Sequence, residues 1–403
     1  MRETPVTRAL HGLRIIDTTH VLAGPFASYQ LAVLGAEVIK VEAPDDPDQS
    51  RLQGSDRALD AVGLGTAYLA QGSGKASLAL DLKTVAGRAI LKRLIETADV
   101  FVENYRPGAF EALGLGYDDL SRLNPGLIYC SISGFGQTGP RREQTAYDGV
   151  IQAYSGMMAM TGTPESGPLK CGAPVVDYAT GTTAAFAIAA ALFQRERNGG
   201  RGQHVDVSMH DVALMLCSPY VTGYLWNGSP PKPKGNQYPF ATVGCYEASD
   251  GPIMVSASNL RQQERLWRAL GRADLIKHEN GERLDACAEE RAVLADIFRT
   301  RTAAEWEGFL TENRIPAARV RRLEEALEDG QAAARGLLHR HEAPGSALDG
   351  LTVPMAGFTM SGSPPALTMP PQPVGAQSAA ILQGLGYTDE DIARLRRNGV
   401  ING

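Results

Sequence analysis

Cysteine, histidine and long apolar runs are all scarce in this sequence of 403 residues. The five cysteines (Cys130, Cys171, Cys217, Cys245 and Cys287) are odd in number, widely spaced and free of any C-x-x-C pair. That indicates neither a disulfide framework nor a thiolate zinc site, and leaves ordinary buried thiols as the expectation. Among seven histidines, His339 and His341 form the one close pair. Their i, i+2 spacing has no third ligand nearby, so no metal is expected. The longest uninterrupted apolar run, Ala184 to Phe193, falls well short of the roughly 20 residues that a bilayer-spanning helix needs. The opening MRETPVTRAL lacks the apolar stretch of a signal peptide. A cytoplasmic chain with no membrane partner is the expectation. Charge of one sign is also missing: 45 acidic against 39 basic residues leave a net charge of −6. That field is too weak and too mixed to favour nucleic acid.

What is present is an alternation of strand and helix patterns over a length that suits two or three domains. LRIID reads as a short strand, THVLAGP as a turn, FASYQLAVLG as an amphipathic helix and AEVIKVE as a second strand, which together make a βαβ unit. Pro25 suits the first helical turn and Gly35 the left-handed position just past the helix end. The same grammar returns in TVAGRAILKRLIETA followed by DVFVEN, in LIYCSIS, and in an Ala-rich helix from about residue 182 to 197 leading into QHVDVSM. The consequence is an open α/β domain with parallel strands. From residue 230 the texture changes: SPPKPKGNQYP reads as a linker and GCYEASDGPIMVSAS as a hairpin turned at Asp250-Gly251. Helices near 259–270, 288–300 and 303–313 and a strand in IPAARV then complete a smaller α+β domain. The proline- and glycine-rich stretch 343–375 is expected to be an irregular crossover, with the helix DEDIARLRRNG returning to the first domain. The boundaries are thus 1–229 for the first part of the large domain, 230–330 for the small one, and 331–403 for the crossover and return.

Two places stand out for chemistry. THVLAGP follows the first strand, and ligands of open α/β sheets bind outside the carboxyl ends of strands, although a purely structural turn is an equal alternative. G-x-G-x-x-G is absent there, which argues against NAD and an oxidoreductase. Asp177, in GAPVVDYATG, lies between an apolar run and a glycine-containing helix start. It reads either as a reactive carboxylate or as an N-cap with Thr180, Gly181 and Thr182 in the first turn, and the two are compatible.

The segments LRIIDTTHVLAGPFASYQLAVLGAEVIKVEAP, SLALDLKT, ADVFVENYRPGAFEALGLGYDDLSRLNPGLIYCSISGFGQTGP, TAYDGVIQAYSG, GRGQHVDVSMHDVAL and GYTDEDIARLRRNGVI resemble, in order, the signatures of the class III CoA-transferases (CaiB/BaiF type). The formyl-CoA and crotonobetainyl-CoA transferases are in that group. The resemblance spans nearly the whole chain. It implies a Rossmann-like large domain built from both chain ends, an inserted small domain and an intertwined homodimer. It also implies acyl-CoA and a small carboxylic acid as substrates, with no tightly bound cofactor.

Carried over, the resemblance places the catalytic carboxylate on Asp177. That group would attack an acyl-CoA thioester to give an aspartyl anhydride and then an aspartyl-CoA thioester, with oxyanions at each step that backbone amides would stabilise. It puts Val21, Leu22, Ala23, Leu80, Lys83, Asn104, Tyr105 and Arg106 around CoA, with Lys83 and Arg106 suited to phosphates, or else simply solvated charge. Tyr147 and Asp148 match a Tyr-acid pair near the active site; a buried tyrosine satisfied by a neighbour is the structural alternative. Departures are also visible. Gly74-Lys75-Ala76-Ser77 replaces N-K-R-S, Ala43 and Ala112 stand where formyl-CoA transferase has arginines, and Leu22 stands for a glutamine. Gly235-Asn236-Gln237 is the nearest counterpart of a tetraglycine loop. These changes disfavour oxalate as acceptor. The α-methylacyl-CoA racemases of the same superfamily carry a histidine where this chain has Tyr147, a poor base near neutral pH. Racemase and non-catalytic acyl-CoA binding remain the alternatives to transfer.

Overall fold

In the computed structural model, which describes residues 8–402, six parallel strands form one sheet. They are β1 (Arg14–Asp17), β2 (Glu37–Glu42), β3 (Lys75–Ala79), β4 (Val100–Glu103), β5 (Ile128–Ser133) and β6 (Gln203–Ser208). Their order is β3-β2-β1-β4-β5-β6, so the direction of winding reverses between β1 and β4. A parallel sheet needs both faces covered, and the strand sequences comply. Ile16, Ile39, Val41, Leu78, Phe101 and Tyr129 face the helix Val85–Ile95 and, from the end of the chain, Ile392, Leu395, Val400 and Ile401. Ile15, Val38, Val100, Val102, Ile128 and Cys130 face the helices Ala23–Val33 and Val175–Arg197.

Several local expectations change. The 23–33 helix is buried on almost every side rather than amphipathic. Its outer side is covered by the supposedly irregular 343–375 stretch: Tyr29 and Val33 meet Val353 and Leu367, and Tyr29 Oη donates to the Pro354 carbonyl at 2.7 Å. That stretch contains β11 (Thr352–Pro354), paired antiparallel with β10 (Leu338–Arg340). The Ala-rich helix begins at Val175, not near residue 182, so Asp177 lies within its first turn and does not cap it. At 23 residues this helix is long and apolar enough to cross a bilayer by length and composition, although polar residues interrupt its apolar run. Here it lies on the sheet beside the 23–33 helix. Gly181 permits that approach, since a Cβ there would sit 2.6 Å from the Ala23 carbonyl oxygen. Gly35 does take the left-handed conformation, at φ +101°. Among the thiols, Cys130 and Cys217 are buried, but Cys171, Cys245 and Cys287 are only half-buried.

Contacts divide the chain into two compact units. One runs to Met157, resumes over Lys170–Ser229, and takes in the chain from Ala332 onward. The other comprises Met158–Leu169 and Pro230–Gln331. In the latter, β7 (Val243–Glu247), β8 (Pro252–Ser256) and β9 (Ala317–Arg319) form an antiparallel sheet. Leu266, Trp267, Leu294, Phe298, Trp306 and Leu310 pack on it from three helices.

The carboxyl edge of the large sheet is held by buried ion pairs. Lys75 Nζ lies 3.0 Å from Asp17 Oδ2 and also donates to the Pro25 carbonyl and to Ser28 Oγ. Lys40 Nζ lies 3.1 Å from Asp48 Oδ2, and Arg51 grips Glu42 through two nitrogens at 2.6 and 2.7 Å. Burial would raise the Asp17 carboxyl, but Lys75, Lys40 and the Ser28 and Thr19 hydroxyls outweigh it and hold the group at about 2. Removing one partner of such a pair strands the other. Lys75→Met is therefore expected to lower stability by about 3–5 kcal/mol, with Asp17→Asn in the same chain restoring part of the loss. Urea titration followed by circular dichroism measures both, and a Lys75→Met loss below about 1 kcal/mol would refute the claim that the pair anchors this edge.

Candidate active site

The loops that leave β1 and β4 meet at the winding reversal, the place where open α/β sheets bind ligands. They are joined by the Asn104 side chain, whose Oδ1 accepts the His20 N–H at 2.9 Å and whose Nδ2 donates to the His20 carbonyl at 2.8 Å. The His20 ring meets Tyr105 edge-on at 5.0 Å. Next to it, Val21 adopts φ +70°, a left-handed conformation that a β-branched residue rarely enters. Such strain costs on the order of 1–3 kcal/mol and persists only where the surroundings enforce it. Here Asp48 Oδ1 accepts the Val21 N–H at 2.9 Å, and Gln71 Nε2 donates to the Val21 carbonyl at 2.8 Å.

Three adjoining cavities open along this edge, and Tyr105 lines all of them. One of about 570 Å³ holds His20, Asn104, Tyr105, Arg106, Ser133 and Tyr147. A second, about 240 Å³, is bounded by His20, Ala43, Asp48 and Gln49. The third, about 130 Å³, is lined by Ala43, Leu80, Lys83 and Phe110. Thus Leu80 and Lys83 line one cavity and Asn104, Arg106 and Tyr147 another, with Tyr105 common to both. Val21, Leu22 and Ala23 do not line these cavities: Val21 contributes its backbone to the loop, Leu22 precedes the 23–33 helix and Ala23 is buried. Tyr147 is not the buried tyrosine of the structural alternative. It is 59 % exposed, and Gln49 Nε2 donates to its hydroxyl at 3.4 Å.

Directly after Tyr147, Asp148 turns inward. Its Oδ2 accepts the N–H groups of Val176 and Asp177 at 2.8 and 3.1 Å, and its other oxygen accepts from Gln152 Nε2. A carboxylate from another helix therefore caps the helix that carries Asp177, satisfying amides that would otherwise be orphaned. Asp177 itself is 9 % exposed. Burial, and then the negative charge of Asp148, push its carboxyl up to about 7. A buried carboxyl poised near neutrality is a functional candidate on electrostatic grounds. Among the described residues, no three His, Cys, Asp or Glu side chains are grouped so as to hold a metal ion.

Sequence reasoning passed over His20, Asp48 and Glu103. The THVLAGP loop stands out in the sequence, but nothing in its pattern singles out the histidine. Glu103, the last residue of β4, is buried among apolar strands, and its sequence signal was an acid ending an otherwise apolar run.

Comparison with known proteins then decides the family, because residues 10–378 match CoA-transferase family III. The chain belongs to that family. Relatives of this CoA-transferase include the succinate–glutarate CoA-transferase of Agrobacterium fabrum, 37 % identical across 93 % of this chain and 95 % of that one. The succinyl-CoA:glutarate CoA-transferase of Homo sapiens is 33 % identical across 98 % of this chain and 90 % of the relative. A CaiB/BaiF family protein from Brucella suis superposes with a TM-score of 0.81 at 31 % identity, covering 94 % of this chain and all (100 %) of its own.

The enzyme's two inward carboxyls are coupled, which a titration can read. Asp148→Asn removes the nearby negative charge, so the Asp177 midpoint should fall from about 7. Carboxyl-selective carbon NMR, assigned by loss of the signal in Asp177→Asn, measures the shift. An unmoved midpoint would mean that burial alone sets it.

Proposed function

We propose that Asp177 is the covalent nucleophile of this CoA-transferase and that the enzyme carries CoA from an acyl-CoA donor to a free carboxylic acid. The observation that carries the reading is the buried Asp177 carboxyl, raised toward neutrality at the start of its helix and braced by Asp148. Near pH 7 such a group is about half ionised, and its carboxylate is more basic than an ordinary one, which strengthens it as a nucleophile. Attack on the thioester carbonyl forms a C–O bond and expels CoA thiolate, leaving a mixed anhydride. The thiolate then attacks the aspartyl carbonyl, releasing the donor carboxylate and leaving aspartyl-CoA. The acceptor carboxylate attacks that thioester, and the thiolate finally takes the acceptor's acyl group and frees Asp177. Each step exchanges one acyl bond for another, so no external oxidant or reductant is required. The Val176 and Asp177 amides are committed to Asp148, which leaves oxyanion stabilisation to other donors.

The groove along Tyr105, with Leu80 and Lys83 in one cavity and Asn104 and Arg106 in the next, is the CoA site in this reading. Lys83 and Arg106 serve the phosphates. The relatives' names point to succinyl-CoA with glutarate as the first donor and acceptor to test. Asp177→Ala should fold and bind CoA but lose transfer by several orders of magnitude, and hydroxylamine should trap the wild-type acyl-enzyme. Near-normal turnover of Asp177→Ala would sink the assignment. Acyl exchange leaves the α-hydrogen in place. Transfer in deuterium oxide should therefore proceed without α-deuteration, by mass analysis of substrate and product. Deuterium uptake at the rate of turnover, lost in Tyr147→Phe, would instead establish proton abstraction and a racemase.

The same reading includes a homodimer in which the smaller unit is an insertion in the larger. It is supported by apolar side chains that one copy leaves bare: Phe186 and Phe193 on the 175–197 helix, and Met215, Tyr220, Leu225 and Trp226 just beyond β6, with Trp226 89 % exposed. A second copy packed over these side chains would take them out of water. Analytical ultracentrifugation at micromolar concentration should show a dimer, and a stable folded monomer would refute it.

A further inference from the structure

Behind the Tyr105 loop, three polar groups cross the sheet in a line. Glu103 Oε2 accepts the N–H of Tyr105 at 2.9 Å. Ser131 stands directly opposite on β5, and its hydroxyl favours the ionised form of the Glu103 carboxyl. Ser131 Oγ lies 2.9 Å from Nε2 of His204 on β6, whose ring stacks on Tyr117 at 5.3 Å. Glu103 and Ser131 are 5 % and 2 % exposed. None of the three has a part in the transfer chemistry above.

A hydroxyl has one proton to give and lone pairs to receive another. The Ser131 hydroxyl is shared with His204 Nε2 at 2.9 Å. Protonation of Glu103 changes what Tyr105 receives, because only the carboxylate offers its amide a charge-assisted bond, roughly twice as strong as a neutral one.

We propose that Glu103 is a positioning residue for CoA: its carboxylate form fixes the Asn104–Arg106 segment, so CoA binds more tightly when Glu103 is ionised. This rests on the reading of the Tyr105 groove as the CoA site. Burial, against the Ser131 hydroxyl and Tyr105 amide, pushes the Glu103 carboxyl up to about 7. The charges facing it are Glu111 from the 109–112 helix and Asp206 on β6, both of which disfavour ionisation. Tyr129 and Cys130 on β5 are kept neutral by burial. His204 is lowered by burial, against Asp206, Glu111 and Asp118. On the far side, Tyr105 feels Lys40, Asp48 and Asp46. Because the Glu103 midpoint lies above that of a free carboxyl, the tighter-binding form is gained as pH rises through about 7 and lost as pH falls through it.

The test is calorimetric titration of the full-length protein with coenzyme A at about pH 6 and about pH 8, in wild type and in Glu103→Gln. Glutamine can still accept from Tyr105 and donate to Ser131, but it does not titrate. CoA phosphate and Asp177 titrate alike in both proteins and cancel in the comparison. Wild type should gain about fivefold in affinity at the higher pH relative to Glu103→Gln, which should retain the weaker binding at both. Ser131→Ala removes a donor to the carboxylate, so it should move the midpoint of the pH dependence upward. A merely structural serine would not do that, and this variant carries the test alone if Glu103→Gln fails to fold. Identical pH dependence in wild type and Glu103→Gln, or an unmoved midpoint in Ser131→Ala, overturns the proposal. Absence of CoA binding to wild type at either pH overturns the groove assignment, and this inference with it.

Discussion

The Asp17 carboxylate holds the carboxyl edge of the sheet together. It sits at the end of β1 and is fully buried, where it is bonded by Lys75 from β3, Ser28 from the 23–33 helix and Thr19 from the loop between. A lone charge in that position would be prohibitively costly. Four pieces of chain must therefore converge wherever this group is folded, and their convergence fixes the turn that follows β1. The neighbouring Lys40–Asp48 pair continues the constraint: Lys40 also donates to the Thr19 carbonyl, and Asp48 reaches the Val21 amide. Charge buried beneath the edge thus becomes backbone geometry above it.

The fold treats its carboxyls in two opposite ways. Beneath β1 and β2, Asp17 and Asp48 are surrounded by ammonium and hydroxyl or amide donors that hold them ionised. At Asp177 and Glu103, burial is met by too few donors or by another acid, and the proton is held into the neutral range. The first arrangement favours rigidity, whereas the second leaves a group able to change state during function. Both occur within one unit because the parallel sheet is dry in its middle and open along its carboxyl edge.

Much of the sheet was legible in the sequence because its strands are short, doubly buried apolar runs separated by turn residues, as in LRIID, AEVIKVE and LIYCSIS. The hairpin at Asp250-Gly251 was legible for the same local reason. What local pattern could not supply was set at long range. The start of the 175–197 helix depends on a cap from Asp148, 29 residues before Asp177, so a residue that looked like a cap is instead capped. The burial of the 23–33 helix depends on residues more than 300 positions later, such as Pro354. At the candidate site, the resemblance supplied residue types around CoA, and the structure gathers most of them around Tyr105. His20 and Glu103 stayed hidden because one is a loop histidine and the other a strand-end acid, and neither carries meaning until β1, β4 and β5 are side by side.

The use of the chain's last residues to cover the first strands bears on synthesis at the ribosome. All six strands of the large sheet have been made by Ser208, yet Ile392, Leu395, Val400 and Ile401 complete the cover on one of its faces. At translation rates of roughly 5–20 residues per second, that part of the sheet waits on the order of 10–40 s for its lid. During that interval the nascent chain presents bare Ile, Val and Phe side chains, and the smaller unit is made and can fold in the meantime. A chaperone that shields apolar surface would find its substrate in that window, and truncations near the carboxyl end would prolong it indefinitely.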